Sequence, residues 1–282
     1  DVGETFGEKL VEYYQDESTM DTMSKAFHKN FSDVRKTWIA NYDPSKTVLK
    51  WQGNKQEVKR ISFTDYIDTE LIKFSIDDCK RSIPNVMDGL KEGHRKILYV
   101  TLLRKLKYTG KTIKVAQLAG SVSERSAYHH GEQNLSTTIT TMANSYVGSN
   151  NIPLLFRDGQ YGSRAEGGAD AAAGRYIFTK LDAMTRLIFR EEDDCLLEHI
   201  EDDGEKVEPK YYVPIIPMVL VNGCKAGIGT GWASAIPCYN PLDLIECIKA
   251  WLENGNKAFD TDEDSGITVS LLPEIKPWYR GH

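Results

Sequence analysis

Three segments of helical spacing, joined by turns of a few residues, crowd positions 92 to 146. They constrain the fold more than any other feature of this 282-residue chain. Glu92 to Lys107 is amphipathic: Leu98, Leu102 and Leu106 recur at i, i+4 and i+8, with Arg95, Lys96, Arg104 and Lys105 mostly off that line. Tyr108 to Lys111 reads as a turn. Val115 to Tyr128 reads as a second helix whose Ala116, Ala119 and Gly120 permit close packing, and a third helix spans Glu132 to Tyr146. Helix, short turn, helix is the geometry of a helix-turn-helix or winged-helix module, and equally of any small helical domain. Pattern alone leaves both readings open.

Charge discriminates further. Lys and Arg total 35 against 41 Asp and Glu, a formal net of −6, which as a sum is no nucleic-acid footprint. Distribution changes that. Lys91 to Gly131 holds nine basic residues (Lys114 and Arg125 among them) against Glu92 and Glu124, a net of +7. Glu191 to Glu208 holds ten acids against Lys206, a net of −9, and reads as a solvated face. A ligand responds to the local field, so the basic segment is the candidate phosphate-binding surface. His129 and His130 are adjacent, point apart in any regular element and cannot chelate one ion; beside the basic helices they read as phosphate donors.

Upstream, Leu10, Val11 and Tyr14 have helical spacing, as do Phe27, Phe31, Val34 and Trp38. Asn41 to Ser45 reads as a loop and a boundary, and Thr64 as the N-cap of a helix through Phe74. After Asn150 glycines punctuate short β-like runs. A helix is expected to end at Phe189, a buried strand over Tyr211 to Val221, and a helix over Pro241 to Leu252.

Several function classes are excluded. There is no G-x-x-x-x-G-K-[ST] loop, H-E-x-x-H helix or G-x-S-x-G elbow, and Gly227-x-Gly229-x-Gly231 lacks the spacing of a dinucleotide fingerprint. No apolar stretch approaches the roughly 20 residues a bilayer span needs, and the first residues do not resemble a signal peptide, so a soluble, membrane-free chain is expected. Five scattered cysteines with no C-x-x-C pair argue for a reducing compartment.

Arg175-Tyr176 carries a chemical possibility. With a pKa of about 10, roughly one phenol in a thousand is ionised at neutral pH, a deficit of about 4 kcal/mol. A guanidinium at about 4 Å and an effective dielectric of about 20 supplies a similar amount. Such a pair is suited to a phenolic nucleophile or to holding a phosphate in line, but neighbours in sequence need not share a face, and an ordinary core Tyr beside a surface Arg fits as well.

A family resemblance decides between these readings. Arg81-Ser-Ile-Pro84, Asp88-Gly-Leu-Lys91, Arg95-Lys96, Val115-Ala-Gln-Leu-Ala-Gly-Ser121, Ser126-Ala-Tyr-His-His-Gly-Glu132, Val147-Gly-Ser-Asn-Asn151, Arg175-Tyr-Ile-Phe178, Pro217-Met-Val-Leu-Val-Asn-Gly223 and Gly227-Ile-Gly-Thr-Gly-Trp232 occur in this order. Together they resemble the DNA breakage-reunion core of eukaryotic-type DNA topoisomerase II, a type IIA enzyme, densely over residues 60–282. Residues 17–40 resemble the tail of that family's Toprim domain more weakly.

The resemblance implies a mixed α/β (α+β) fold: the end of a Toprim-like domain and linker over 1–47, a winged-helix DNA-cleavage domain over 48–185, and the start of a tower-type α/β domain over 186–282. It implies that Tyr176 forms a 5′-phosphotyrosyl link, with Arg175 beside the scissile phosphate and His130 contacting it. Arg81, Lys91 and Arg95 match positions that hold DNA, and Ile228 matches a wedge between base steps; Lys114 and His129 complete the expected DNA surface. One tyrosine cuts one strand, so a homodimer on double-stranded DNA is implied, as are topoisomerase II poisons bound at the cleaved DNA. Mg²⁺ and ATP belong to the complete enzyme and are held by no residue of this chain, which reads as a fragment carrying no metal site. A nuclear location, or a viral or cytoplasmic factory, is expected. Asn222 to Gly229 runs one residue longer than the family's usual Asn-Gly-Ala-Glu-Gly-Ile-Gly, with Lys225 in place of an acid. The competing readings are a catalytically idle DNA-binding module and a core like that of the bacterial gyrase or topoisomerase IV cleavage chain.

Overall fold

The structure, a computed structural model, describes residues 11–46, 59–128, 130–202, 204–261 and 268–281. They belong to two units, one of residues 1–83 with 227–234 and the other of 84–226 with 235–282.

In the first unit, β1 (Val11–Tyr14) pairs in parallel with β2 (Lys59–Ser62), Tyr13 opposite Ile61. The helix expected here is a strand. Val and two Tyr in four residues favour a pleated surface, and the partner strand supplies hydrogen bonds that so short a helix cannot make. The helices α1 (Thr19–Phe27) and α2 (Ser32–Ala40) follow. α3 (Phe63–Tyr66) continues through a π-helical turn (Ile67–Leu71) into α4 (Ile72–Ser82), well past Phe74. Its cap is Ser62, whose Oγ accepts from the Asp65 amide at 2.9 Å. Thr64, the expected cap, instead donates to Asp16 Oδ1 at 2.7 Å.

Ala26, Ile61, Ile67 and Ile72 are buried in this unit, and Asp68 Oδ1 accepts from Lys25 Nζ at 2.6 Å and Trp38 Nε1 at 2.8 Å. These bonds tie residues before position 47 to helices after it, so the unit runs to Ile83 rather than ending at the loop. Pro84 then breaks the helical path.

The second unit is built on α5 (Glu92–Leu103), β3 (Ile113–Lys114), α6 (Val115–Arg125), α7 (Glu132–Ala143) and β4 (Phe178–Thr179). α5 stops four residues short of Lys107. Lys105 turns left-handed at φ +53, the Leu106 amide reaches back to the Thr101 carbonyl at 3.2 Å, and the Lys105 amide bonds the Leu102 carbonyl at 2.9 Å. α6 buries Val115, Leu118, Ala119 and Val122 at i, i+3, i+4 and i+7, while Gly120 faces open space, so Ala119 alone of those small residues is fully buried. α7 buries Leu135, Ile139, Met142 and Ala143. With Ile97, Leu98, Leu155, Ile177 and Val221 these form one core.

The rest of the unit is short elements: α8 (Thr185–Ile188), a 3₁₀ turn (Glu191–Leu196), the hairpin of β5 (His199–Asp202) and β6 (Glu205–Pro209), and α9 (Met218–Val221). The strand expected over Tyr211 to Val221 does not form; Pro214 and Pro217 lack the amides a ladder requires, and only the last four residues coil into α9. β7 (Cys224–Gly229) and β8 (Trp232–Ile236) pair, and residues 227–234, the end of β7, the turn and the start of β8, count with the first unit. α10 (Pro241–Glu253) is capped by Asn240, whose Oδ1 accepts from the Leu242 amide at 3.0 Å; β9 (Phe259–Thr261) and β10 (Thr268–Ser270) pair antiparallel.

Candidate functional site

Tyr176 reaches the surface in a turn just before Ile177, which is buried. The antiparallel pairing of β3 with β4 sets Lys114 opposite Phe178 and Ile113 opposite Thr179. Ile177 and Thr179 point into the core, and the Val115 amide bonds the Ile177 carbonyl at 3.0 Å. Just upstream, the Ala116 amide bonds the Gly174 carbonyl at 3.0 Å, and the Tyr176 amide closes a turn on the Ala173 carbonyl at 2.8 Å. Two of the four otherwise unsatisfied amides at the start of α6 are therefore used to hold the tyrosine segment. Gly174 fits closely there: a Cβ would meet Val115 Cγ1 at 3.2 Å and Ser136 Oγ of α7 at 3.3 Å, so a larger residue would have to push those side chains aside. The result is a phenol 65% exposed on an anchored turn that leads into β4.

Arg175 is exposed beside it, its guanidinium carbon 4.9 Å from the centre of the Tyr176 ring. Lys114 is exposed across the ladder from Phe178. His130 is exposed one residue before the N-cap of α7, its ring edge-on to Tyr128 at 5.3 Å. Ser136, which contacts Gly174, lies only about 6 Å along α7 from the helix's first residue. Arg175, Tyr176, Lys114 and His130 are thus exposed on segments that pack on one another through β3, β4, α6 and α7. His129 lies outside the described residues.

Arg95 does not join them. Its side chain is 7% exposed; Nε bonds Asp88 Oδ2 at 2.7 Å, and Nη2 bonds Asp88 Oδ1 at 3.0 Å and the Leu90 carbonyl at 2.9 Å. The expected surface cation is an internal brace. Asp88 is wholly buried and also accepts from the Leu90 and Tyr212 amides. Lys96 is buried too, on Glu208. Two of the nine basic residues between 91 and 131 are thereby neutralised inside the fold, and Glu208, counted with a solvated acidic face, is 1% exposed. Lys91 donates to the Ala226 carbonyl at 2.9 Å and stays partly exposed.

Arg81 and Ile228 lie in the first unit. Ile228, on β7, is 72% exposed. Thr230 fixes the turn that follows it: its hydroxyl donates to Asp78 Oδ2 at 3.1 Å, and its carbonyl accepts from Cys79 Sγ at 3.2 Å. Arg81 donates to Asp78 Oδ1 at 2.9 Å. Burial pushes the Asp78 carboxyl up, but the bonds from Arg81 and Thr230 outweigh it and hold the group below the usual carboxylate range.

Comparison with known proteins identifies the family of the chain. A family model for the A-type chain of DNA gyrase/topoisomerase IV matches residues 81–282. The chain belongs to the type II DNA topoisomerase family. A second model, the C-terminal associated domain of TOPRIM, matches residues 5–79, so the family boundary also falls near position 80 rather than 47. The chain is 48% identical over 271 residues to a probable DNA topoisomerase 2 of Dictyostelium discoideum, covering 96% of this chain and 16% of the relative. It is 47% identical over 261 residues to DNA topoisomerase 2 of Saccharomyces cerevisiae, covering 93% and 16%. The chain thus spans about a sixth of these relatives' length. Its fold is similar to the crystal structure of the Plasmodium falciparum topoisomerase II DNA-binding, cleavage and re-ligation domain, at 44% identity and a TM-score of 0.78 over 95% of this chain and 34% of that one.

Among the described residues, no group of three or more His, Cys, Asp or Glu is arranged to hold a metal ion, and no helix is long and apolar enough to cross a membrane. The residues that sequence reading missed are the internal ion pairs. Lys96 and Arg95 look like surface cations by composition, and nothing local in the sequence identifies Glu208 or Asp88 as their partners.

Proposed function

We propose that this chain supplies the strand-cleaving nucleophile of a type II topoisomerase, with Tyr176 attacking a DNA backbone phosphorus. The phenolic oxygen forms the new P–O bond and the bond to the 3′ oxygen breaks. The phenol's proton is released and the departing oxygen takes one up, leaving a 3′-hydroxyl and a 5′-phosphotyrosyl ester. Because one phosphoester replaces another, reversal reseals the strand without an energy source. Arg175 and His130 supply donors for the charge that builds on the phosphate, and Lys114 and Lys91 bind flanking phosphates.

The observation that carries this reading is Tyr176 itself: exposed, beside an arginine, on a segment fixed by the amides of α6. Its α5–α6–α7 helices with the β3–β4 pair are read as a winged-helix domain, and residues 186–282 as the start of a tower-type domain. Arg81 and Ile228 are read as the first unit's own DNA contacts, Ile228 as an apolar wedge. A double-strand break takes two tyrosines, hence a homodimer. Mg²⁺ and ATP act in the complete enzyme from residues outside this chain, which is proposed to work in the nucleus. Poisons of the family are read as binding at the cleaved DNA.

The test is Tyr176→Phe in the full-length protein. DNA binding should persist and denaturant-trapped covalent adduct should vanish; adduct that survives the substitution overturns the assignment.

A further inference from the structure

We infer that the buried Lys96–Glu208 pair positions the loop that presents His130, an inference that rests on the phosphate-contacting role proposed above for that histidine. Lys96 projects from α5 and is 5% exposed; its Nζ lies 2.7 Å from Glu208 Oε1 and donates to the Ser126 carbonyl at 2.6 Å. Glu92 Oε1 stands further off at 3.7 Å. The second Glu208 oxygen, Oε2, is buried without a hydrogen-bond partner among the described residues. As a stabilising device this arrangement is poor: two charges are desolvated, one carboxylate oxygen is left unsatisfied, and apolar residues of the same volume commonly serve stability as well or better.

The bond to Ser126 gives the pair a purpose. Ser126 is the C-cap of α6, where carbonyls lack helical partners. Its hydroxyl is already committed to the Val122 carbonyl at 2.6 Å. The next residue, Ala127, takes a left-handed φ of +47, which a residue with a Cβ resists. The chain then passes through Tyr128, whose hydroxyl accepts from Asn134 Nδ2 on α7 at 3.0 Å and whose ring meets His130 edge-on. Lys96 therefore clamps the loop at Ser126 and Asn134 clamps it at Tyr128, with His130 exposed two residues further on against the Tyr128 ring. An apolar side chain at position 96 fills the same space but cannot hold a carbonyl.

The test separates positioning from stability. Lys96→Met combined with Glu208→Leu in the full-length protein removes both charges and leaves no orphaned ion, while the Ser126 carbonyl loses its donor. The expected result is a melting temperature near that of the parent, DNA affinity within about twofold, and single-turnover cleavage at least about tenfold slower. In a His130→Ala background the same double substitution should slow cleavage no further. A stable double variant that cleaves within twofold of the parent, or that slows the His130→Ala enzyme as much as it slows the parent, overturns the inference. Should the double variant not fold, Lys96→Arg takes its place. That substitution keeps a cation for Glu208 but exchanges a point donor for a planar fork. Tenfold slower cleavage at native stability then supports the inference, and cleavage within twofold sinks it. Tyr176→Phe run in parallel keeps the two claims apart: surviving adduct there defeats the nucleophile assignment, whereas its loss beside normal cleavage by the double variant defeats only the role given to Lys96.

Discussion

The guanidinium of Arg175 lies over the ring of Tyr176, 4.9 Å from its centre. Consecutive residues of a regular strand point to opposite faces, but the turn closed by the Tyr176 amide on the Ala173 carbonyl lets both side chains stay exposed together. The contact is with the ring face and is worth about 0.5–1 kcal/mol at an exposed site. The arginine is thereby held beside the proposed nucleophile. Arg175→Ala should slow adduct formation roughly 10- to 100-fold, the value of a charge-assisted hydrogen bond, with little change in DNA affinity. Arg175→Lys should not restore the rate, because an ammonium neither stacks nor forks. Quench-flow cleavage of a labelled duplex measures both; full activity with lysine contradicts the geometry.

Arg95 and Lys114, both expected at the DNA surface, should respond in opposite ways. Arg95→Ala leaves Asp88 charged and buried, costing about 3–5 kcal/mol of stability, visible in urea denaturation. Lys114→Ala should leave stability unchanged, weaken duplex binding across all sequences, and lower the log–log salt slope by about one. A Lys114 variant with an unaltered slope removes that residue from the interface.

The imidazole of His94 is held down to about 4, chiefly by burial, with the charges of Lys91 and Arg95 adding and Asp88 opposing. In the unfolded chain it titrates near 6.5. Between these values the unfolded state binds more protons, so this group's contribution is fully present above about 6.5 and is lost as pH falls toward 4. His94→Gln should therefore lose less stability than the parent between about pH 7 and pH 4.5. Equal losses in denaturation midpoint would show that the histidine is not the responsible group.

Ile228 is exposed on β7, just before a turn braced by Asp78 through Thr230. As a wedge it should bend DNA more than it binds it. Ile228→Ala is expected to reduce the bend, read by end-to-end energy transfer on a short duplex, while affinity changes less than about tenfold. An unchanged bend argues that the extra residue before Gly227 has moved the wedge elsewhere.

Much of the second unit was legible because its signals are local. The stripe Val115, Leu118, Ala119, Val122 specifies a helix and its buried face, and Asn240-Pro241 marks a helix start through a cap and a fixed φ. β3 and β4, two residues each, are too short to show any period, and Val11–Tyr14 has helical spacing that strand pairing overrides. The boundary at 47 failed for a related reason: a polar loop marks a break in the chain, not in the packing, and Asp68 reaches back across it to Lys25 and Trp38.

By itself the sequence determined the helical framework, the concentration of positive charge and the motifs that mark the family. Those properties depend on residue type and near spacing, which a linear string preserves. Only the tertiary structure decided which cations face solvent. Arg95 and Lys96 are indistinguishable from surface residues until the fold brings buried Asp88 and Glu208 against them, since desolvating a charge requires a partner and chain order does not say where that partner will be.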